Sequence, residues 1–191
     1  MDTKHGMLEI TFHGRGGQGA VTGAELLAEV ALMDGFRDSL SIPIIGAERR
    51  GAPIRAFTRL SKEEIKIYSA VINPDVVVIF DDSLVPAPGV AYGIGNCKFL
   101  INTSGVLDLD KFAETAEVYT VDATGISLKL KLVVSGDPVL NVPMLGAYAK
   151  MTGHIQLESL KEVVSEKWGE KAGEKNYAAA QEAYNQTERV K

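Results

Sequence analysis

His13-Gly14-Arg15-Gly16-Gly17-Gln18-Gly19-Ala20 decides the fold, because this glycine-dense stretch stands between an apolar run, Met7 to Phe12, and a segment of helical period, Ala20 to Met33. In that segment Val21, Ala24, Leu27, Ala28 and Ala31 recur at three- and four-residue steps and share one face. Strand, glycine turn and helix make a βα unit. Glycines let the backbone turn sharply and bare its N–H groups, and the following helix adds partial positive charge at its N-terminus. The turn is therefore a candidate anion site. The same glycines would also serve close packing of the helix on the sheet, and the residues leave both readings open.

The spacing Gly14-x-Gly16-x-x-Gly19 also satisfies a dinucleotide fingerprint. A nicotinamide site would want an acidic residue about 20 positions on, at the end of a second parallel strand. Asp38 stands at that distance, but Gly35 to Ser41 is a weak strand that continues into a loop, so binding of NAD, NADP or FAD is not expected. The lysine-containing phosphate loop is absent, since Ala20-Val21 follows Gly19.

Farther along, the loop Ile42 to Pro53 leads into an alternating strand, Ile54 to Leu60, and Ile65 to Ser69 reads as its hairpin partner. Pro74 closes a turn before Asp75-Val76-Val77-Val78-Ile79-Phe80, a β-branched run expected to lie mid-sheet as a buried parallel strand. Lys98 to Ile101 and Glu117 to Val121 read as strands, with a short helical piece from Leu109 to Ala116 between them. Beyond Gly125 the pattern turns helical over Ile126 to Val133, Val142 to Met151, Leu157 to Trp168 and Glu174 to Arg189. The fold class is α/β, a mostly parallel mixed sheet flanked by helices with a helical C-terminal part. One domain over 1–191 is expected, since 191 residues with 46% hydrophobic and 24% charged suffice for one core.

Charge and cysteine usage exclude several functions. A net charge of −5 opposes broad capture of nucleic acid or of an anionic membrane. No apolar run approaches the roughly eighteen residues of a membrane span, and no apolar leader precedes the first strand, so a cytoplasmic location is expected. Cys97 is the single cysteine, so this chain alone can form no intrachain disulfide and hold no thiolate-ligated cluster. His5, His13 and His154 show no ligand spacing, and no metal site is expected. His13, at a strand end, reads as a structural histidine or a proton carrier.

A second constellation, Gly46-Ala47-Glu48-Arg49-Arg50-Gly51-Ala52-Pro53, sets Glu48, Arg49 and Arg50 in a loop bounded by glycines. Paired guanidiniums suit bidentate recognition of phosphate or carboxylate, and Arg55 and Arg59 extend the basic run. A solvated charged loop, with Glu48 neutralising one arginine, accounts for the same residues. Asp81-Asp82-Ser83 closes the best strand, where ligands of open α/β sheets gather, though paired acids also cap turns.

His13 to Ala20, Gly46 to Pro53, Asn73-Pro74-Asp75 and Asn141-Val142-Pro143-Met144-Leu145-Gly146-Ala147 together resemble the gamma subunit of 2-oxoacid:ferredoxin oxidoreductases. The likeness reaches the end of the chain, where Ala172-Gly173-Glu174-Lys175-Asn176-Tyr177-Ala178-Ala179-Ala180 is similar to the family's closing helix. The resemblance implies a subunit of a complex that decarboxylates a 2-oxoacid on thiamine diphosphate, passes electrons through iron–sulfur clusters to ferredoxin, and forms an acyl-coenzyme A (acyl-CoA). It implies alpha-, beta- and delta-type partner subunits that hold the thiamine diphosphate, Mg2+ and clusters, with CoA as co-substrate. No catalytic residue is expected here, and no Gly-Asp-Gly followed by an Asn marks a thiamine site. Cofactor contact is expected at Gly14, Arg15, Gly16, Gly17, Gln18 and Gly19, as an anion or CoA site, and partner or CoA contact at Glu48, Arg49, Arg50 and Gly51. The loop at Glu48 to Pro53 favours pyruvate or branched-chain 2-oxoacids. Two alternatives stay open: the related subunit of an indolepyruvate oxidoreductase, and a free-standing nucleotide- or anion-binding domain.

Overall fold

Alternation along β1 (Met7–Arg15) puts Leu8, Ile10 and Phe12 on one face, each at most 7% exposed, and α1 (Ala20–Met33) packs there through Ala24, Leu27 and Ala31. The computed structural model describes residues 6–44, 50–91 and 94–191. The chain then runs out to β2 (Asp38–Ile44), back through β3 (Pro53–Ser61), and across to β4 (Val76–Ile79), β5 (Lys98–Asn102) and β6 (Glu117–Val121). A helical stretch follows: α2 (Ala123–Lys129), α3 (Asn141–Thr152), α4 (Leu157–Trp168) and α5 (Glu170–Gln186). A small hairpin of β7 (Val133–Val134) and β8 (Asp137–Pro138) interrupts it, and β9 (Glu188–Arg189) ends the regular structure.

The main sheet has the order β2-β3-β1-β4-β5-β6-β9, with β1, β4, β5 and β6 mutually parallel and β2, β3 and β9 pairing antiparallel. The α/β fold class expected from the sequence is the one observed. Val76 to Ile79 does lie mid-sheet, all four residues buried, which is what an uninterrupted β-branched run demands. The helices join one face of the sheet in the larger core, while the other face closes over Val77, Ile79, Phe99, Ile101 and Val118 with irregular segments carrying Leu84, Val90 and Phe112.

Several expectations need correction. Ile65 to Ser69 forms no strand. Both edges of β3 are already taken, by β1 in the register Met7↔Ser61 and by β2 in the register Asp38↔Ser61, so the hairpin is β2–β3. The carbonyls of Ile67 and Ser69 instead accept hydrogen bonds from the buried Arg59 guanidinium at 3.2 and 2.7 Å, and Glu9 neutralises that charge at 2.8 Å. The second strand begins at Asp38 and not at Gly35, and runs through Ile44, so part of the expected loop is strand. Of Leu109 to Ala116 only Leu109–Lys111 coils, as a 3-10 turn capped by the Asp108 side chain. The helix expected over Ile126 to Val133 starts earlier, where Asp122 accepts from the Gly125 N–H at 2.8 Å, and stops at Lys129. The last helix ends at Gln186 and not Arg189, and the chain then pairs β9 with β6, covering what would be an open edge.

Candidate functional site

The turn after β1 shows why its glycines stand where they do. A Cβ on Gly14 would sit 2.9 Å from that of Ala20 and 3.3 Å from that of Phe80, so this glycine serves close packing. Gly17 and Gly19 take φ of 98° and 86°, a left-handed backbone that side chains disfavour. Gly19 is the N-cap of α1 and no side chain caps that helix. The first amides of a 14-residue helix are thus left to an outside partner, with the helix dipole behind them.

The sheet brings together motifs far apart in sequence. The β1–β3 ladder continues into the turn: the Gly16 N–H donates to the Ala52 carbonyl at 2.9 Å, and the Gly51 N–H donates to the Gly16 carbonyl at 3.1 Å. Arg50 and Gly51 therefore flank the glycine turn directly. Ile45, Gly46, Ala47, Glu48 and Arg49 lie outside the described residues, so the expectation for Glu48 and Arg49 falls there. On the other side stands Asp81, at the end of β4. The chain leaves β1 toward one edge of the sheet and enters β4 on the opposite side, so β1 and β4 end at a topological switch point.

Arg15 and Gln18 brace this junction. Arg15 donates from Nε to Asp81 at 2.9 Å, from Nη2 to Ser83 Oγ at 2.8 Å and from Nη1 to the Gly51 carbonyl at 3.2 Å. Gln18 donates from Nε2 to Asp81 at 3.2 Å and accepts from the Arg15 N–H at 2.8 Å. Asp81 also accepts from the Ser83 N–H at 3.1 Å, so it caps its own turn and braces the glycine turn at once. Burial pushes the Asp81 carboxyl up, but its hydrogen bonds from Ser83 and Gln18 and the Arg15 charge together hold it below the usual range.

Two clefts meet at Gln18. The larger, about 980 Å³, is lined by the glycine turn, the start of α1, the β7–β8 hairpin and the flank of α5. Its cations are Arg50, Lys131 and Lys175, and its apolar wall includes Ile54, Val133, Val134 and the half-exposed Trp168. Arg50 pairs across it with Asp137 at 2.5 Å. Asn176, 7% exposed, lines it too, and its Oδ1 has no hydrogen-bond partner. The smaller cleft, about 390 Å³, carries Asp81, Asp82 and Asp122 and is acidic. An anion with an apolar or aromatic portion suits the first and not the second.

Other residues singled out in the sequence stand elsewhere. Arg59 is buried in its pair with Glu9, and Arg55 lies over the Phe57 ring at 5.0 Å, so neither enters the larger cleft. Asp38, at the outer strand, accepts from the Ile65 N–H at 2.8 Å and fixes a loop. His13 is buried with no partner on Nε2, and burial with the Arg55 charge lowers its pKa to about 4, so it is neutral near pH 7. The sequence reading missed Lys131, Asp137, Trp168, Lys175 and Asn176 as cleft residues. Gly136-Asp137-Pro138, a Gly/Asp/Pro turn triplet between two helical segments, was the available signal for the hairpin. Among the described residues no group of three or more His, Cys, Asp or Glu is placed to hold a metal ion, and no helix is long and apolar enough to cross a membrane.

Residues 9–186 match the protein family described as pyruvate ferredoxin/flavodoxin oxidoreductase. The chain is 45% identical over 179 residues to the pyruvate synthase subunit PorC of Methanothermobacter marburgensis, covering 93% of this chain and 96% of that protein. It is 42% identical over 186 residues to the pyruvate/ketoisovalerate oxidoreductases common subunit gamma of Pyrococcus furiosus, with 95% and 98% coverage. The fold superposes on the crystal structure of pyruvate oxidoreductase subunit PORC from Thermotoga maritima with a TM-score of 0.81 at 32% identity, covering 97% of this chain and 99% of that one.

Proposed function

Because this chain belongs to the pyruvate ferredoxin/flavodoxin oxidoreductase family and is a gamma subunit of a 2-oxoacid:ferredoxin oxidoreductase, we propose that its part in the complex is to present the glycine-turn cleft to CoA. Pyruvate is the favoured 2-oxoacid, in keeping with the names of the relatives. The alpha-, beta- and delta-type subunits carry the thiamine diphosphate, Mg2+ and iron–sulfur clusters, and ferredoxin is reached through them, in the cytoplasm. The single cysteine and the braced state of Asp81 fit that division, since neither offers a ligand set in this chain.

The observation that carries the reading is the uncapped start of α1 opening into a cleft ringed by Arg50, Lys131 and Lys175 and walled on another side by Trp168. A diphosphate suits the helix amides and the guanidinium, and a ring system suits the apolar wall and Trp168. Arg15, Gln18 and Gly14 hold the turn in shape, Gly16, Gly17 and Gly19 present it, and Arg50 with Gly51 forms the rim; Glu48 and Arg49, which precede them in sequence, are assigned contact with CoA or a partner subunit.

The test is kinetic. Replacing Arg49 and Arg50 together by Ala, and Arg50 alone by Ala, in the reconstituted complex should leave assembly intact and raise the KM for CoA about tenfold, with the KM for the 2-oxoacid unchanged. A charge-assisted hydrogen bond to phosphate contributes about 1.5–3 kcal/mol, against well under about 1 kcal/mol for a solvated pair. Unchanged CoA dependence would refute the assignment, and a failure of assembly would make the loop a subunit contact instead.

A further inference from the structure

The cleft already contains an anion. Asp137, on the β7–β8 hairpin, pairs with Arg50, and its Oδ2 lies 3.9 Å from the position of a Cβ on Gly17. Its carboxylate thus stands over the left-handed turn that precedes α1, next to the guanidinium best placed to meet a ligand phosphate. We propose that Asp137 is a resident competitor: it fills the phosphate position in the free subunit and is displaced when CoA arrives. The proposal rests on the CoA reading of this cleft and adds an internal control on its affinity.

Three features make displacement feasible. Both partners are open to water, with side-chain exposures of 70% for Arg50 and 48% for Asp137, so the pair exchanges partners without unfolding anything. The hairpin that carries Asp137 is minimal, two residues per strand, and Lys131 and Ser135 beside it take φ of 52° and 53°, a region that disfavours residues other than glycine. The segment leading into it is tethered, because Lys175 donates to the Lys131 carbonyl.

The consequence is a gain of affinity on removing a carboxylate. Asp137→Asn frees Arg50 and deletes the charge that repels an incoming phosphate. The single tryptophan, Trp168, lines the same cleft and reports binding to the full-length chain by fluorescence. Titrated with CoA, and separately with inorganic pyrophosphate, Asp137→Asn should bind about three- to tenfold more tightly than the unaltered chain, the range set by a solvent-exposed ion pair plus one like-charge contact. Arg50→Ala should weaken both ligands, and in its presence Asp137→Asn should no longer raise affinity. Since misfolding lowers affinity, a gain cannot arise from damage. Equal or weaker binding by Asp137→Asn, with the unaltered chain still binding, would overturn the competitor role and make Asp137 a support for Arg50. No response to either ligand in any variant would instead overturn the CoA reading beneath it.

Discussion

Removing the carboxylate of Asp81 should loosen the glycine turn more than the loss of one surface ion pair, and a double-mutant cycle with Arg15 measures by how much. Asp81 Oδ2 accepts from Arg15 Nε at 2.9 Å and from Gln18 Nε2 at 3.2 Å, while its other oxygen caps the turn through Ser83. Fully exposed pairs couple by about 0.2–1 kcal/mol. Here the side chains are 33% and 20% exposed and the guanidinium is further fixed by Ser83 and the Gly51 carbonyl, so desolvation and preorganisation raise the term. We expect a coupling of about 1–2 kcal/mol. Urea unfolding of the unaltered chain, Arg15→Ala, Asp81→Asn and the double variant at pH 7 supplies it, provided the m-values agree. The singles should each destabilise, and the double should cost clearly less than their sum. Additivity within about 0.3–0.5 kcal/mol would refute the brace, leaving Arg15 and Asp81 as independent surface residues that happen to touch.

Gly146→Ala should destabilise by about 1–3 kcal/mol, read by thermal or urea unfolding, because the new Cβ would lie 2.1 Å from the Ala180 carbonyl oxygen. That backbone cannot yield as a side chain would, so the clash outweighs the helix propensity gained. Acid should weaken the fold in a defined window. The pKa values of His13 and His154 are lowered to about 4, chiefly by burial, so the unfolded chain binds the extra protons. Their contribution is complete above about pH 6.5 and is lost as pH falls through about 4, up to about 3 kcal/mol for His13. His13→Phe should flatten the decline in a urea series from pH 7 to 4, and an unchanged slope would show that the buried imidazole is not its source.

Much of this was legible in the sequence for physical reasons. The β1–turn–α1 unit declared itself through apolar period and glycine density, and Val76 to Ile79 through an unbroken β-branched run that only a strand buried on both faces tolerates. Helix ends and edges were less legible. Nothing local in Ile65 to Ser69 says that both sides of β3 are taken, so an alternating apolar stretch read as a strand, although Arg59, a residue assigned to a basic patch, claims its carbonyls. The cleft followed the same pattern. Gly14 to Gly19 and Arg50 stood out, but Lys131, Asp137, Trp168 and Asn176 come from four separate segments, and only the fold brings them to one wall. Sequence distance likewise hid the Arg15–Asp81 contact, which spans 66 residues.

The most direct test of the central claim, that CoA meets this subunit at the start of α1, is amide hydrogen exchange of the reconstituted complex with and without CoA. Protection on adding CoA should fall on Gly17 to Thr22, whose helix-start amides have no side-chain cap, and the β7–β8 hairpin from Lys131 to Pro138 should change with it. The acidic cleft at Asn102 to Ser104 and Asp122 to Gly125 should stay as it was. Protection confined to that acidic cleft, or no change anywhere in this subunit while the complex turns over CoA, would contradict the account.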